Sequence, residues 1–121
     1  MKISADILKK RTFDFALTTL KTVDKLNKSV SNEVMVRQLI RSATSVGANY
    51  RAACKAKSTA DFINKLKIVE EESDESVYWL ELIKAYNEIE QPNFELVLKE
   101  AKELEKIFAA SAITAKNNSK K

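Results

Sequence analysis

RSATSVGANYR, residues 41–51, decides how the rest of the chain is read. It contains Gly47, the only glycine in 121 residues, set among small side chains and bracketed by Arg41 and Arg51. A phosphate loop would need several glycines and, for the Walker type, a terminal Gly-Lys-Ser/Thr, and neither is present. The stretch sits instead within a helical pattern running from Val34 to Cys54, where a lone glycine costs about 1 kcal/mol relative to alanine. Some gain must offset that cost. Gly47 projects beside Ala43, Tyr50 and Cys54, so its missing side chain either lets a neighbouring helix approach closely or accepts a bulky group such as Trp79. The same projection predicts that Cys54 is a buried structural thiol.

Outside this stretch, Pro92 is the only proline, while alanine, leucine, glutamate and lysine are abundant. Little interrupts helix and few turn signals support strands, so the class is all-α. Four helical segments are predicted at about 5–27, 31–56, 58–90 and 93–116, followed by a polar tail at 117–121. The first carries Phe13, Ala16, Leu17, Leu20 and Val23 at helical spacing; the second opens at Ser31 as a cap with Glu33 in the first turn. Ser58 and Asp61 form a capping-box pattern for the third, and the fourth follows Pro92 and Asn93. Short connections between long helices predict an antiparallel up-down four-helix bundle, one domain over residues 1–121.

The chain has no histidine. That removes a histidine general base, the Ser/His/Asp and Cys/His nucleophile systems, and the usual zinc and di-iron sites, so the expectation is a non-enzyme without metal or cofactor. Cys54 is the sole cysteine, and no stretch has the apolar length of a secretory signal or membrane span, which predicts a cytoplasmic protein. The acidic run at 70–75, EEESDE, fans around a helix and cannot converge on one cation.

Charge is unevenly distributed. Residues 31–57 hold five basic groups and one acidic (+4), whereas 58–91 hold three basic and nine acidic (−6), so the second and third segments are electrostatically opposed. At ~100° per residue, Arg37, Arg41, Arg51 and Lys55 fall within about 40° of one line, with Leu39, Ala43, Val46, Tyr50 and Cys54 on the other side. With Lys57 beyond them, these residues make a basic ridge able to neutralise a phosphate backbone. The alternative is a solvated face, or pairing with the acids of the third segment.

The third segment has two apolar faces. Phe62, Leu66, Val69, Ser73, Ser76, Leu80, Ile83 and Asn87 alternate steps of four and three and form the predicted core line. Ile68, Trp79, Leu82 and Tyr86 lie roughly opposite and predict contact with another subunit; alternatively, Trp79 covers the edge of its own bundle.

QLIRSATSVGANYRAAC, then STADFINKL, then ESDESVYWLEL, closely resembles the bacterial four-helix-bundle proteins first noted as reading frames in intervening sequences of 23S ribosomal RNA genes, and the similarity extends to EKIFAASAITAKNN in the tail segment. The resemblance implies a homo-oligomer, a pentameric barrel of four-helix subunits. It also relates the chain to the accessory variability determinant proteins of diversity-generating retroelements, which bind nucleic acid and a reverse transcriptase through a basic surface. The positions matching the family pattern are Arg41, Ser45, Gly47, Asn49, Tyr50, Arg51, Ser58, Asp61, Phe62, Glu72, Glu75, Tyr78, Trp79 and Leu80. Two positions depart from it, Ala52 where members often carry an acid and Glu71 where they often carry a lysine.

Together these readings predict an oligomeric accessory protein that binds RNA or DNA without sequence preference through Arg37, Arg41, Arg51, Lys55 and Lys57, with Gly47, Tyr50, Ile68, Trp79, Leu82 and Tyr86 serving helix packing and self-association. The competing reading is a scaffold that docks a protein such as a reverse transcriptase, without physiological nucleic-acid binding. Light scattering at micromolar concentration is expected to give a mass several times that of one chain, since a two-faced third helix cannot bury both faces alone; a monomeric mass removes the self-association reading.

Overall fold

The computed structural model describes residues 3–120. Among them the ordered elements are four helices: α1 (Ala5–Val23), α2 (Val30–Cys54), α3 (Thr59–Asn87) and α4 (Pro92–Ser119). α2 packs on α1 and α3, α4 packs on α3 and α1, and the pairs α1/α3 and α2/α4 lie diagonally across the core. This is the all-α four-helix bundle expected from the sequence.

Serine hydroxyls start three of the helices. Ser4 accepts from the Ile7 amide at 3.2 Å, Ser29 from Asn32 at 3.0 Å, and Ser58 from Asp61 at 3.1 Å, each satisfying an otherwise orphan donor. The cap of α2 is therefore Ser29, not Ser31: the extended backbone at Ser29 lets its hydroxyl reach Asn32 and begins the helix earlier. Pro92 occupies the first position of α4, where its missing N–H costs nothing. α4 runs on to Ser119, beyond the expected 116, and of the predicted tail Lys121 lies outside the described residues, as do residues 1 and 2.

α1 stops at Val23, short of the expected Asn27, because Lys25 and Leu26 tighten into bonds to the Thr22 and Val23 carbonyls. α3 ends in a left-handed residue, Glu88 at φ 52°, with the Glu88 amide donating to the Ala85 carbonyl and the Ile89 amide to that of Lys84. That is the Schellman arrangement, reached here without a glycine. Asn32 and Asn87 then join α2 to α3 at this end through reciprocal amide bonds of 3.0 and 2.9 Å.

The core line of α3 is as predicted at Leu66, Val69, Ser73, Ser76, Leu80 and Ile83, all buried, while Phe62 and Asn87 at its ends are only partly so. Opposite it lie Leu39, Ala43, Val46 and Tyr50 of α2 and Val97, Ala101, Leu104 and Phe108 of α4. α1 differs from expectation. Its buried face is Leu8, Thr12, Phe15, Thr19 and Val23, leaving Phe13 and Leu17 exposed. The Thr12 and Thr19 hydroxyls donate to the Leu8 and Phe15 carbonyls at 2.8 and 2.7 Å, so both threonines enter the core without an unpaired polar atom. An apolar stripe drawn from hydrophobic residues alone is therefore displaced around the helix.

α2 meets both neighbours through small residues. Toward α3, the Ser42 and Ser76 hydroxyls lie 3.0 Å apart, both buried. Toward α1, a Cβ on Gly47 would stand 3.1 Å from Thr12 Oγ1 and 3.3 Å from Thr12 Cβ. Gly47 thus admits helix α1. Trp79 is not its neighbour, because Trp79 lies on the flank of α3, on the opposite side of α2 from α1. Tyr50 packs inside the bundle with its ring centroid 5.2 Å from that of Phe108. Cys54, expected to be buried, is exposed: it is the last residue of α2 and sits one step outside Ala53, which takes the buried place.

Gly47→Leu is expected to lower stability by about 1–3 kcal/mol in urea unfolding, the usual cost of overpacking, and an unchanged midpoint would show that α1 does not close on Gly47. Burial, followed by hydrogen bonding and charge from Cys54 and the charge of Asp6, raises the Tyr50 pKa well above the ordinary 10.0. Above that value the unfolded tyrosine binds fewer protons than the folded one, so its contribution to stability falls as pH rises. The stability difference between the native chain and Tyr50→Phe is accordingly expected to shift in favour of the variant from about pH 8 to about pH 11; a constant difference contradicts it.

Candidate nucleic-acid interface

The five ridge residues Arg37, Arg41, Arg51, Lys55 and Lys57 are all exposed, but they do not act as one line. Arg41 reaches over the edge of α2 to α3, where Nη1 contacts Glu72 Oε2 at 3.2 Å and Nη2 donates to Glu75 Oε2. Hydrogen bonding to Glu75, reinforced by the charge of Glu72, raises its pKa further above the ordinary arginine value. The indole N–H of Trp79 donates to the same Glu75 oxygen at 3.1 Å. Arg41 is thus committed to two carboxylates within the chain, which divides the ridge. Pairing with third-helix acids is one of the alternatives to phosphate binding at the ridge, and at Arg41 it is the one realised.

A second arginine does the same on the other side of the bundle. Arg11 of α1 donates through Nε to Glu100 Oε2 at 3.1 Å and through Nη2 to Glu103 Oε2 at 3.1 Å, tying α1 to α4. The pKa of Arg11 is raised, chiefly by the Glu100 hydrogen bond. These pairs are partly or largely solvent-exposed and add little to stability individually. Their effect on charge placement is larger, because they commit carboxylates of α3 and α4 to the α2/α3 and α1/α4 edges.

The remaining ridge cations lie apart from these pairs. Among the described residues, Arg37, Arg51, Lys55, Lys57 and Lys9 have no carboxylate within 4.0 Å. Lys9, Lys10 and Phe13 of α1 line a shallow depression of about 290 Å³ together with Arg51 and Lys55 of α2. Lys10 is held at 2.8 Å by Asp14 one turn on, with both side chains in solvent. Phe13 is 64% exposed. Lys9, Lys10 and Phe13 are absent from the ridge drawn along one helix, since only the packing of α1 on α2 brings them beside Arg51. The spacing of Lys9 and Phe13, one turn apart and off the face of Leu8, Thr12 and Phe15, was the signal available for them.

On the other flank, Ile68, Leu82 and Tyr86 are exposed, as is Tyr78, whose ring meets that of Trp79 edge-on at 5.0 Å. Trp79 itself is half-buried against the core. Gly47 and Tyr50, grouped with these by sequence, face the interior instead. Among the described residues no group of histidine, cysteine, aspartate or glutamate side chains is arranged to hold a metal ion, and no helix is long and apolar enough to cross a membrane.

The family described as 23S rRNA-intervening sequence protein matches residues 6–110, which include all of α2 and α3. A crystal structure from Bacteroides thetaiotaomicron, described as a protein of unknown function from the S23 ribosomal protein family, is similar at a TM-score of 0.80 and 34% identity, over 91% of this chain and 98% of that one. None of the curated proteins matches the chain. A family match across nearly all of the bundle, with the same fold at one-third identity, means that the chain belongs to the 23S rRNA-intervening sequence protein family.

Proposed function

We propose that the protein is a non-enzymatic, cytoplasmic accessory protein that assembles into a homo-oligomer, a pentameric barrel in the reading taken from its family, and binds RNA or DNA through its α1/α2 side. The observation carrying this reading is the set of exposed Arg37, Arg51, Lys55 and Lys57 with half-buried Lys9, cations with no carboxylate within 4.0 Å among the described residues. Unpaired cations release counterions from a phosphate backbone and give affinity that depends on salt and not on sequence; Lys9, Arg51 and Lys55 of this set share one depression. Arginine suits the role, since its planar fork matches phosphate oxygens. Self-association through Ile68, Leu82 and Tyr86 would present several such faces at once, and linked weak sites gain avidity from one another.

A protein partner is the second reading, favoured by the exposed apolar flank of α3, where Tyr78 and Tyr86 offer aromatic contact area. In that case a polymerase such as a reverse transcriptase would occupy the flank and nucleic acid would be incidental.

The double variant Arg51→Glu, Lys55→Glu is expected to lose most binding to RNA or DNA at low salt while retaining the native oligomer mass. A single Arg51→Ala change should reduce the slope of log affinity against log salt by about one. Arg41→Ala is expected to leave binding nearly intact, because its charge already serves Glu72 and Glu75. Absence of binding by the unaltered protein at low salt overturns the nucleic-acid reading, and capture of a polymerase by nuclease-treated bait favours the second.

A further inference from the structure

The depression between α1 and α2 combines charge with an exposed ring. Lys9 and Lys10 lie one turn before Phe13 on α1, and Arg51 and Lys55 close the other wall from α2. Asp14 is the one carboxylate held by these cations, so four positive groups surround the ring against a single negative one. Phe13 contributes little to the core, being 64% exposed while Leu8, Thr12 and Phe15 supply the buried face of α1. A large apolar ring left mostly in water among cations contributes little to packing, and its position suits a ligand that presents a flat apolar face next to negative charge.

From this geometry we infer that the α1/α2 depression binds single-stranded nucleic acid, with one unpaired base stacked on Phe13 and the flanking phosphates held by Lys9, Arg51 and Lys55. The inference rests on the nucleic-acid reading above and narrows it to a strand class. A duplex keeps its bases stacked on one another and offers this surface only its phosphates, whereas a single strand presents bases whose π-faces stack on aromatic side chains whatever their identity. An acidic peptide would match the charge, but it would not in general supply a planar face one phosphate spacing from it.

The test uses the full-length protein with two probes: an oligothymidylate of about fifteen nucleotides and a blunt DNA duplex of about the same phosphate count, followed by fluorescence anisotropy. Phe13→Ala is expected to weaken oligothymidylate binding by about fivefold or more, with duplex affinity and melting temperature unchanged and Phe13→Trp restoring the loss. The salt slope should be the same for the native chain and Phe13→Ala, because a ring releases no counterions. Oligothymidylate affinity unchanged in Phe13→Ala overturns the stacking site while leaving phosphate binding in place. No binding of either probe by the native chain overturns the broader reading as well. Displacement of the oligothymidylate by polyglutamate of equal charge, with the same sensitivity to Phe13→Ala, would assign the depression to acidic protein segments and overturn the single-strand assignment.

Discussion

The closeness of α2 to its two neighbours is the constraint on which the rest of the structure depends. On one side Gly47 lets Thr12 of α1 come within a few ångströms of the α2 backbone; on the other, the Ser42 and Ser76 hydroxyls meet across the contact with α3. Small residues allow close interhelical packing, and short hydroxyl side chains bond within or between the helices, so among the described residues close approach leaves no buried side-chain polar atom without a partner. With α2 fixed between α1 and α3, α4 closes the remaining side through Val97, Ala101, Leu104 and Phe108. The glycine that looked like a weak point in a helix is where one neighbouring helix docks.

That packing also sorts the charges. Arg41 lies at the α2/α3 edge, within reach of Glu72 and Glu75, and Arg11 lies at the α1/α4 edge, within reach of Glu100 and Glu103. Each arginine engages two carboxylates of an adjacent helix. None of these carboxylates pairs with a cation of the α1/α2 edge, where Arg51 and Lys55 are exposed and Lys9 is half-buried. Sequence position alone gives both arginines and lysines the same formal charge; their location relative to helix edges decides which are spent internally. A net charge of +4 understates the contrast between faces.

Family membership places the chain among four-helix proteins without supplying a chemistry, and the related crystal structure is itself described as being of unknown function. The features that bear on function are therefore those of the surface: a basic depression with a ring in it on one side, and an apolar flank carrying Tyr78, Leu82 and Tyr86 on the other. They lie on different helix edges, so one can serve assembly without covering the other.

Much of the fold was determined by the sequence alone. Scarce glycine and proline, the alternating steps of Leu66, Val69, Ser73, Ser76, Leu80 and Ile83, and the Ser58 cap specify helices locally, because helical periodicity and capping depend on residues three or four apart. The same local reading turned Arg37, Arg51 and Lys55 outward, as they are. It misplaced Phe13 and Cys54, left open whether a neighbouring helix or Trp79 meets Gly47, and could not tell Arg41 from the other ridge cations. Those outcomes were decided by tertiary structure: Thr12 and Thr19 enter the core because their own helix satisfies their hydroxyls, which rotates α1 and turns Phe13 out beside Arg51. Which charge meets which carboxylate, and which ring stays in water, depends on the rotation and register of packed helices, a property of pairs of helices that no single periodicity contains.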